Sequence, residues 1–196
     1  MEPLFIGSHA AVDFLNTSFG PDGARVEAIG DGRALFSWLV AAKLMDESQA
    51  TRLLRRLGVK GADSAAAEVR KLREWARAWL DRWRAAPNRD YSTELARLNE
   101  YLGREVRRRE VVRTTDGLTL NVQSQLESVD ELLALLAGQI AALITEEAPA
   151  LLKTCGGSDC TLWFVDRTKA HRRVFCSTAT CGNRAKVAAF RERQRE

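Results

Sequence analysis

The chain has 196 residues, of which 45% are apolar, and a formal net charge of +4. This length allows one domain, or one domain with a small appendage, and the apolar fraction excludes a disordered chain. No run approaches the roughly 18 apolar residues of a membrane-spanning helix, so we expect no membrane contact. The first seven residues carry no basic segment that could begin an export signal, and we therefore expect a cytoplasmic protein.

The first 150 residues begin with the signals of four helices. Each predicted helix starts at a residue that caps helices well or ends before a Gly or Pro. The predicted helices run from Asp31 to Leu44, from Asp46 to Leu57 before Gly58, from Ser64 to about Ala86 before Pro87, and from about Thr93 to Leu102. Trp75, Trp79 and Trp83 recur every four residues, which favours a packing stripe over an aromatic wall for a ligand.

A β-hairpin and an apolar helix follow. Segments 104–113 and 118–123 flank Thr-Asp-Gly, which is typical of a hairpin turn. Ser128 and Glu131 have the spacing of a capping box, which predicts a helix from this point to about Glu146.

The chain divides into two parts of opposite charge. Pro149 disfavours helical geometry at the residue before it, which places a boundary there. From Lys153 onward, ten Lys and Arg residues stand against four Asp and Glu residues, a formal charge of +6, whereas the preceding residues carry −2. We therefore predict a first domain of residues 1–150 and a second of residues 151–196, packed together or joined by a short hinge.

All four cysteines lie in the second domain as two close pairs. Four residues separate Cys155 from Cys160 and Cys176 from Cys181, and fifteen residues lie between the pairs. This spacing is typical of a four-thiolate site for one Zn²⁺ ion. Two disulfides and four unrelated thiols are the alternatives. Disulfides are disfavoured because nothing marks the chain for export, and reducing compartments keep thiols free.

The residues around the cysteines predict a small zinc-binding fold. Residues 162–165 are typical of a strand and residues 172–175 of its return strand, and a helix runs from after Cys181 to about Arg193. The first cysteine pair forms a tight turn, or knuckle, and a hairpin, the second cysteine pair and a helix follow it. This is the order of elements in a treble-clef finger. The predicted fold class is α+β, with a mainly helical N-terminal domain that includes a β-hairpin and a small C-terminal treble-clef zinc finger.

Several motifs resemble those of known families. Four of them, Cys155-Gly-Gly, Trp163-Phe-Val-Asp, Arg172-Arg173 and Cys181-Gly-Asn-Arg184, resemble the CGNR-type zinc finger. Segment 12–17, Val-Asp-Phe-Leu-Asn-Thr, resembles the opening signature of the ABATE domain. The resemblance implies a stress-responsive transcription regulator whose finger binds DNA and whose N-terminal domain senses a small ligand. It also implies that the zinc ligands are Cys155, Cys160, Cys176 and Cys181.

The charge of the second domain favours nucleic-acid binding. Four thiolates with Zn²⁺ carry −2, which leaves the domain at +4, and phosphate attraction dominates non-specific DNA affinity. On a helical wheel, an alanine face lies between two basic edges and is suited to a DNA groove, while a face with Val187 and Phe190 is suited to cover the zinc. The candidate DNA-binding residues are Arg172, Arg173, Arg184, Lys186, Arg191, Arg193 and Arg195.

Other interpretations of the basic helix stay open. It could be a solvated helix, or part of a protein-interaction or RNA-binding module whose zinc is purely structural. One finger contacts only a short stretch of DNA, so a homodimer that binds two half-sites is a way to reach a higher affinity for DNA.

Asp13, Asn16 and Thr17 are candidate residues for an unidentified small-molecule ligand. Local caps and turns are the equal alternative, because Asp, Asn and Thr often bind nearby backbone. The sequence contains no P-loop, G-x-G-x-x-G, G-x-S-x-G or H-E-x-x-H motif. Its two histidines lie far apart and the cysteines are assigned to a metal, so we expect a protein that is not an enzyme.

Overall fold

The computed structural model describes residues 4–20, 24–124 and 126–194 of the chain. The helices are α1 (Ala10–Leu15), α2 (Gly32–Ala41), α3 (Glu47–Ala85), α4 (Ser92–Leu102), α5 (Val129–Glu146) and α6 (Asn183–Arg193). The strands are β1 (Ser18–Phe19), β2 (Val26–Glu27), β3 (Arg107–Thr114), β4 (Gly117–Ser124), β5 (Leu152–Thr154) and β6 (Trp163–Val165), which pair in this order as antiparallel hairpins. Among the described residues, no helix has both the length and the apolar character that crossing a bilayer requires.

The predicted capping residues form the starts of three helices. Asp31 caps α2 by accepting a hydrogen bond from the backbone of its first turn. Asp46 with Gln49, and Ser128 with Glu131, form capping boxes at the starts of α3 and α5. Each cap satisfies N–H groups that the helix itself leaves unpaired, and the predicted starts are confirmed.

The helix break predicted at Gly58 is confirmed as a kink within α3, but the start predicted at Ser64 is wrong. Gly58 has φ 66° and ψ 176°, a conformation that side chains disfavour, and the helix resumes directly after it. Asp63 accepts a hydrogen bond from the N–H of Gly32, and a Cβ on Gly32 would lie only 2.4 Å from the Cβ of Ala62. The start of α2 therefore packs closely against the part of α3 that directly follows the kink.

The main hydrophobic core lies between α1, α2, α3 and α5. Its fully buried side chains include Phe14 of α1, Leu35 of α2, Trp79 of α3 and Leu132 of α5. Trp75 packs against this core, with its ring centroid 5.3 Å from that of Trp79. Trp83 also packs against the core, so the packing interpretation of the tryptophan stripe is confirmed for all three residues.

β3 and β4 form a hairpin, residues 107–124, that we call the arm. Thr114 pairs with Gly117 across the turn, as the Thr-Asp-Gly sequence predicts. The described side chains of the arm are exposed or half-buried and none belongs to the hydrophobic core. The predicted hairpin is confirmed, although its first strand begins at Arg107 and not at Arg104.

The return strand expected at residues 172–175 is wrong. β6 pairs instead with β5, which precedes the first cysteine pair, and the register joins Lys153 to Phe164. The buried carboxylate of Asp166 accepts the backbone N–H of Arg173, which ties residues 172–175 into an irregular loop. The hairpin therefore closes around the first cysteine pair, and the order of knuckle, second pair and helix is kept.

The C-terminal segment packs directly on the N-terminal part of the chain. The side-chain amide of Asn16 donates to the carbonyl of Trp163 and accepts its N–H, at 2.8 Å each, as a neighbouring strand would. The N–H of Val165 donates to the carbonyl of Gly7 at 2.9 Å. Leu152, Trp163 and Val165 belong to the same buried cluster as α1 and α5. The two parts thus share one core, and no long linker separates them.

Candidate metal centre and nucleic-acid interface

Four cysteine sulfurs meet at one point of the C-terminal segment. Cys155 and Cys160 lie in the turn between β5 and β6, and Cys176 and Cys181 precede α6. All four sulfurs lie within 4.8 Å of one another, with 3.7 Å between Cys160 and Cys176 and 3.6 Å between Cys176 and Cys181. Tetrahedral Zn²⁺ with Zn–S bonds of about 2.3 Å places its sulfurs about 3.8 Å apart. The four free thiols therefore fit one zinc ion.

The electrostatics of the cluster favour a bound cation. Burial raises the pKa of Cys160 and Cys176, and neighbouring thiols raise that of Cys176 further. Burial also opposes ionisation of Cys155, but the backbone N–H groups of Cys176 and Gly157 outweigh it and lower the pKa of Cys155. Thiolates this close repel one another, so a divalent cation supplies the charge that lets all four ionise together.

An apolar wall surrounds the sulfurs. Leu162 and Phe164 are buried beside the cysteines, and Ile6, Phe19 and Phe175 pack against them. Two of these five residues come from the start of the chain, so the metal site is enclosed from both parts of the molecule.

α6 turns a different face toward the metal site from the one expected. Val187 and Phe190, the residues expected to cover the zinc, are 48% and 54% exposed. The alanine face instead lines an open cavity of about 340 Å³ together with the loop 156–160. A π-helical turn, Thr178–Gly182, precedes α6 and sets its rotation, which a regular helical wheel does not include.

Asp166 organises the loop between the two cysteine pairs, a role that its place in the Trp163-Phe-Val-Asp motif did not predict. Its buried carboxylate accepts hydrogen bonds from Lys153 at 2.6 Å, from the Thr168 hydroxyl at 2.6 Å and from the N–H of Arg173 at 2.9 Å. Burial alone would raise the pKa of Asp166, but these hydrogen bonds outweigh it and hold the pKa well below its ordinary value. The signal in the sequence was an Asp placed directly after an apolar strand.

Two family models match the chain and together cover most of it. Residues 152–194 match the CGNR zinc finger. Residues 8–147 match ABATE, the family described as "Putative stress-induced transcription regulator". The chain belongs to the ABATE family. A search of curated proteins finds no match. The resemblance seen in the sequence is thereby confirmed, and we call residues 8–147 the ABATE region and residues 152–194 the finger.

Most of the candidate DNA-binding residues of the finger are exposed. The exposed candidates are Arg172, Arg184, Lys186, Arg191 and Arg193. Arg173 is half-buried, since its guanidinium donates to the carbonyls of Phe175 and Cys176 and lies 4.2 Å from the ring centroid of Phe164. Arg173 therefore stabilises the finger loop. Arg195 lies outside the described residues.

Asp13, Asn16 and Thr17 lie within or just after α1, and their side chains bind the chain itself. Asp13 accepts a backbone N–H from near the chain start, although burial raises its pKa. Asn16 binds the backbone of Trp163, and Thr17 accepts a hydrogen bond from the buried Arg73. The bridge from Asn16 to the finger was missed because 147 residues separate the partners. The ligand-binding role of the three residues stays a prediction.

A cavity of about 560 Å³ opens between the N-terminal residues and the finger. Its lining includes the apolar side chains of Ile6, Phe19 and Leu162, together with Arg184, Asp159 and three of the four cysteines of the metal site. Among the described residues, Arg184 makes no hydrogen bond or ion pair. An exposed cation without a partner among the described residues therefore borders a space that is partly apolar.

Proposed function

We propose that this protein is a DNA-binding transcription regulator in which a structural zinc ion holds the finger in its binding form. The observation that carries the proposal is the placement of α6, whose cations are exposed on a helix that buries none of its own residues. A helix so placed has room to lie in a DNA groove while its arginines contact phosphates on either side.

The outward face of α6 is the face that we propose to meet the bases. It carries Val187 and Phe190, and the basic residues lie along both edges of it. Apolar side chains contact the methyl group of thymine in the major groove. Phosphate contacts from Arg184 and Lys186 then supply the larger, sequence-independent share of the affinity.

Filter binding of the zinc-loaded chain to duplex DNA across a salt series tests this function. We expect the affinity to fall steeply as salt rises, and the double variant R184A/K186A to bind more weakly with a shallower salt dependence. The double variant R33A/K60A removes the same charge from exposed positions of α2 and α3 and serves as the control. Absent or salt-independent binding would overturn the proposal, and preferential competition by RNA would assign the finger to RNA instead.

We further propose that the cavity of about 560 Å³ takes the sensed ligand, an apolar molecule with an anionic group that pairs with Arg184. A ligand there touches both parts of the molecule and competes with DNA phosphate for the same guanidinium. Octanoate should raise the thermal midpoint, because a ligand of the native state stabilises it, and should weaken DNA binding. Octanol has the same chain without the charge and serves as the control. Equal effects of the two compounds, or none, would contradict this site.

A further inference from the structure

The arm leaves four large apolar side chains in solvent. Val111, Leu118, Leu120 and Val122 are 65%, 72%, 57% and 47% exposed. The register places Val111 opposite Leu120, so all four lie on one face of the hairpin. Contiguous apolar patches on a soluble protein mark interaction sites, and an isolated two-stranded hairpin is only marginally stable in water.

The two strands of the arm differ sharply in charge. β3 carries four arginines and one glutamate, whereas β4 has no charged residue and no proline. Proteins normally protect exposed strand edges with charges, prolines or bulges. The register from Thr114 and Gly117 back along both strands is continuous and contains no bulge. β4 therefore has an unprotected edge, while β3 is protected by its arginines.

The backbone geometry shows which groups that edge presents. Thr114 and Gly117 close a two-residue turn, and the closing pair of such a hairpin exchanges backbone hydrogen bonds. Hydrogen-bonded pairs recur at every second residue, so the N–H and C=O groups of Leu118, Leu120 and Val122 point away from β3. Among the described residues, β4 pairs with β3 alone. One row of donors and acceptors thus lies beside the row of apolar side chains.

We propose that a second copy of this chain pairs its β4 antiparallel with this edge, across a two-fold axis, to make a four-stranded sheet. The apolar side chains of both copies then form one continuous row, in which each β4 residue gains a cross-strand apolar neighbour. A two-fold contact of this kind is self-complementary, because each copy offers and receives the same groups.

The charge distribution selects the β4 edge over the β3 edge. In the four-stranded sheet the two β3 strands are outermost, three strand spacings or about 14 Å apart, so their arginines lie beyond the Debye length of about 10 Å at ordinary salt. Pairing through β3 would instead place arginines of the two copies about 5 Å apart, where like charges destabilise a sheet.

The position of the arm leaves the finger accessible in such a dimer. The arm precedes the N-terminal end of α5, and the finger follows its C-terminal end. The 18 residues of α5 span about 27 Å. The attachment points of the arm and the finger are thus separated by the length of α5, which leaves room for the finger in such a dimer. This inference stands on the arm alone and does not depend on DNA binding.

Sedimentation equilibrium of the zinc-loaded chain without DNA tests the proposal. We expect a reversible monomer–dimer equilibrium that Leu120→Lys weakens by at least about tenfold, equivalent to about 1.4 kcal/mol. Val111→Lys is the matched control, because Val111 is the cross-strand partner of Leu120, on the same face and similarly exposed. Its added charge lies on the outer strand, so the dissociation constant should change much less. Zinc content and circular dichroism verify that both variants fold.

Hydrogen exchange gives a second, variant-free readout. As the protein concentration rises, the amides of Leu118, Leu120 and Val122 should become protected, while those of Arg109 and Val111 on the outer edge of β3 should not. A monomer at every concentration would overturn the proposal. Equal weakening by the two lysine variants would show face-to-face stacking instead. A monomer whose DNA affinity falls in the arm variants would assign the arm to DNA.

Discussion

The ABATE region and the finger are stabilised in different ways. The main core draws buried side chains from four helices and includes large residues such as Trp79 and Phe14. The cluster around the metal site has five buried residues among the described ones, and three of these are cysteines. Domains of about 40 residues rarely bury enough apolar surface to fold alone, and a metal commonly makes up the difference.

The finger also depends on the ABATE region. Trp163 and Val165 of β6 lie in the main core, and Arg77 and Arg84 of α3 lie 5.6 Å and 5.2 Å from the Trp163 ring centroid. One end of the finger is therefore stabilised by packing on the ABATE region, and the other end by its cysteine sulfurs. Four experiments separate these contributions.

Removal of zinc should have the largest effect. Cys181→Ser or a strong chelator should unfold the metal-binding end of the finger, because structural zinc contributes about 10–16 kcal/mol of apparent binding energy. Elemental analysis should find one zinc per wild-type chain, and hydrogen exchange should show lost protection around Cys176 but retained protection in α5. Ser158→Ala, an exposed position in the turn of the first cysteine pair, is the control. Full hydrogen-exchange protection in a finger that contains no metal would contradict the conclusion that zinc stabilises this end of the finger.

Shortening a side chain in the main core should have the converse effect, lowering the stability of the ABATE region while the zinc site stays intact. Leu136 of α5 is fully buried, and Leu136→Ala should cost about 2–5 kcal/mol, because it removes apolar contacts and leaves a cavity. Denaturant unfolding measures the loss. Leu95→Ala makes the same change at a 43% exposed position of α4 and should cost much less. Zinc stoichiometry should stay unchanged in both, and loss of zinc from the Leu136 variant would show that the two regions unfold together.

Asn16 tests the junction between the two regions. Asn16→Ala leaves the buried N–H and C=O of Trp163 without partners, which should cost about 1–3 kcal/mol. Thermal unfolding gives the loss, and faster exchange of the Trp163 amide locates it. Thr145→Ala removes an exposed hydroxyl that binds only its own helix and is the control. If the two substitutions lower the stability equally, the hydrogen bonds of Asn16 do not stabilise the junction.

The smallest expected effect is a pH dependence from His9, which caps α1 by accepting the N–H of Ala11. Burial and the charge of Arg167 lower the pKa of His9 against the opposing effect of Glu146 and Glu147. The unfolded chain therefore binds this proton more tightly, so the contribution of His9 is present above its ordinary pKa of 6.5 and is lost as the pH falls. Thermal midpoints should drop less on acidification in His9→Asn, which keeps a cap that does not titrate.

Features encoded within a few residues could be predicted from the sequence. Asp46 and Ser128 start helices because a cap needs only its own first turn. The arm follows from Thr-Asp-Gly between two strand-forming segments. The prediction of a return strand at residues 172–175 was wrong. β6 has only three residues and therefore carries little local signal, and contacts with residues far away in the chain decide which strand it pairs with.

By itself, the sequence determined which four residues form the zinc site, where most helices begin and which family the chain belongs to. Spacing along the chain encodes these properties. Only the tertiary structure decided that α3 resumes at once after Gly58, that β6 pairs with β5, that Asn16 bridges to Trp163 and that Val187 faces outward. Each depends on how elements far apart in the chain pack together, and the free energy of that packing is shared among residues that no local pattern connects.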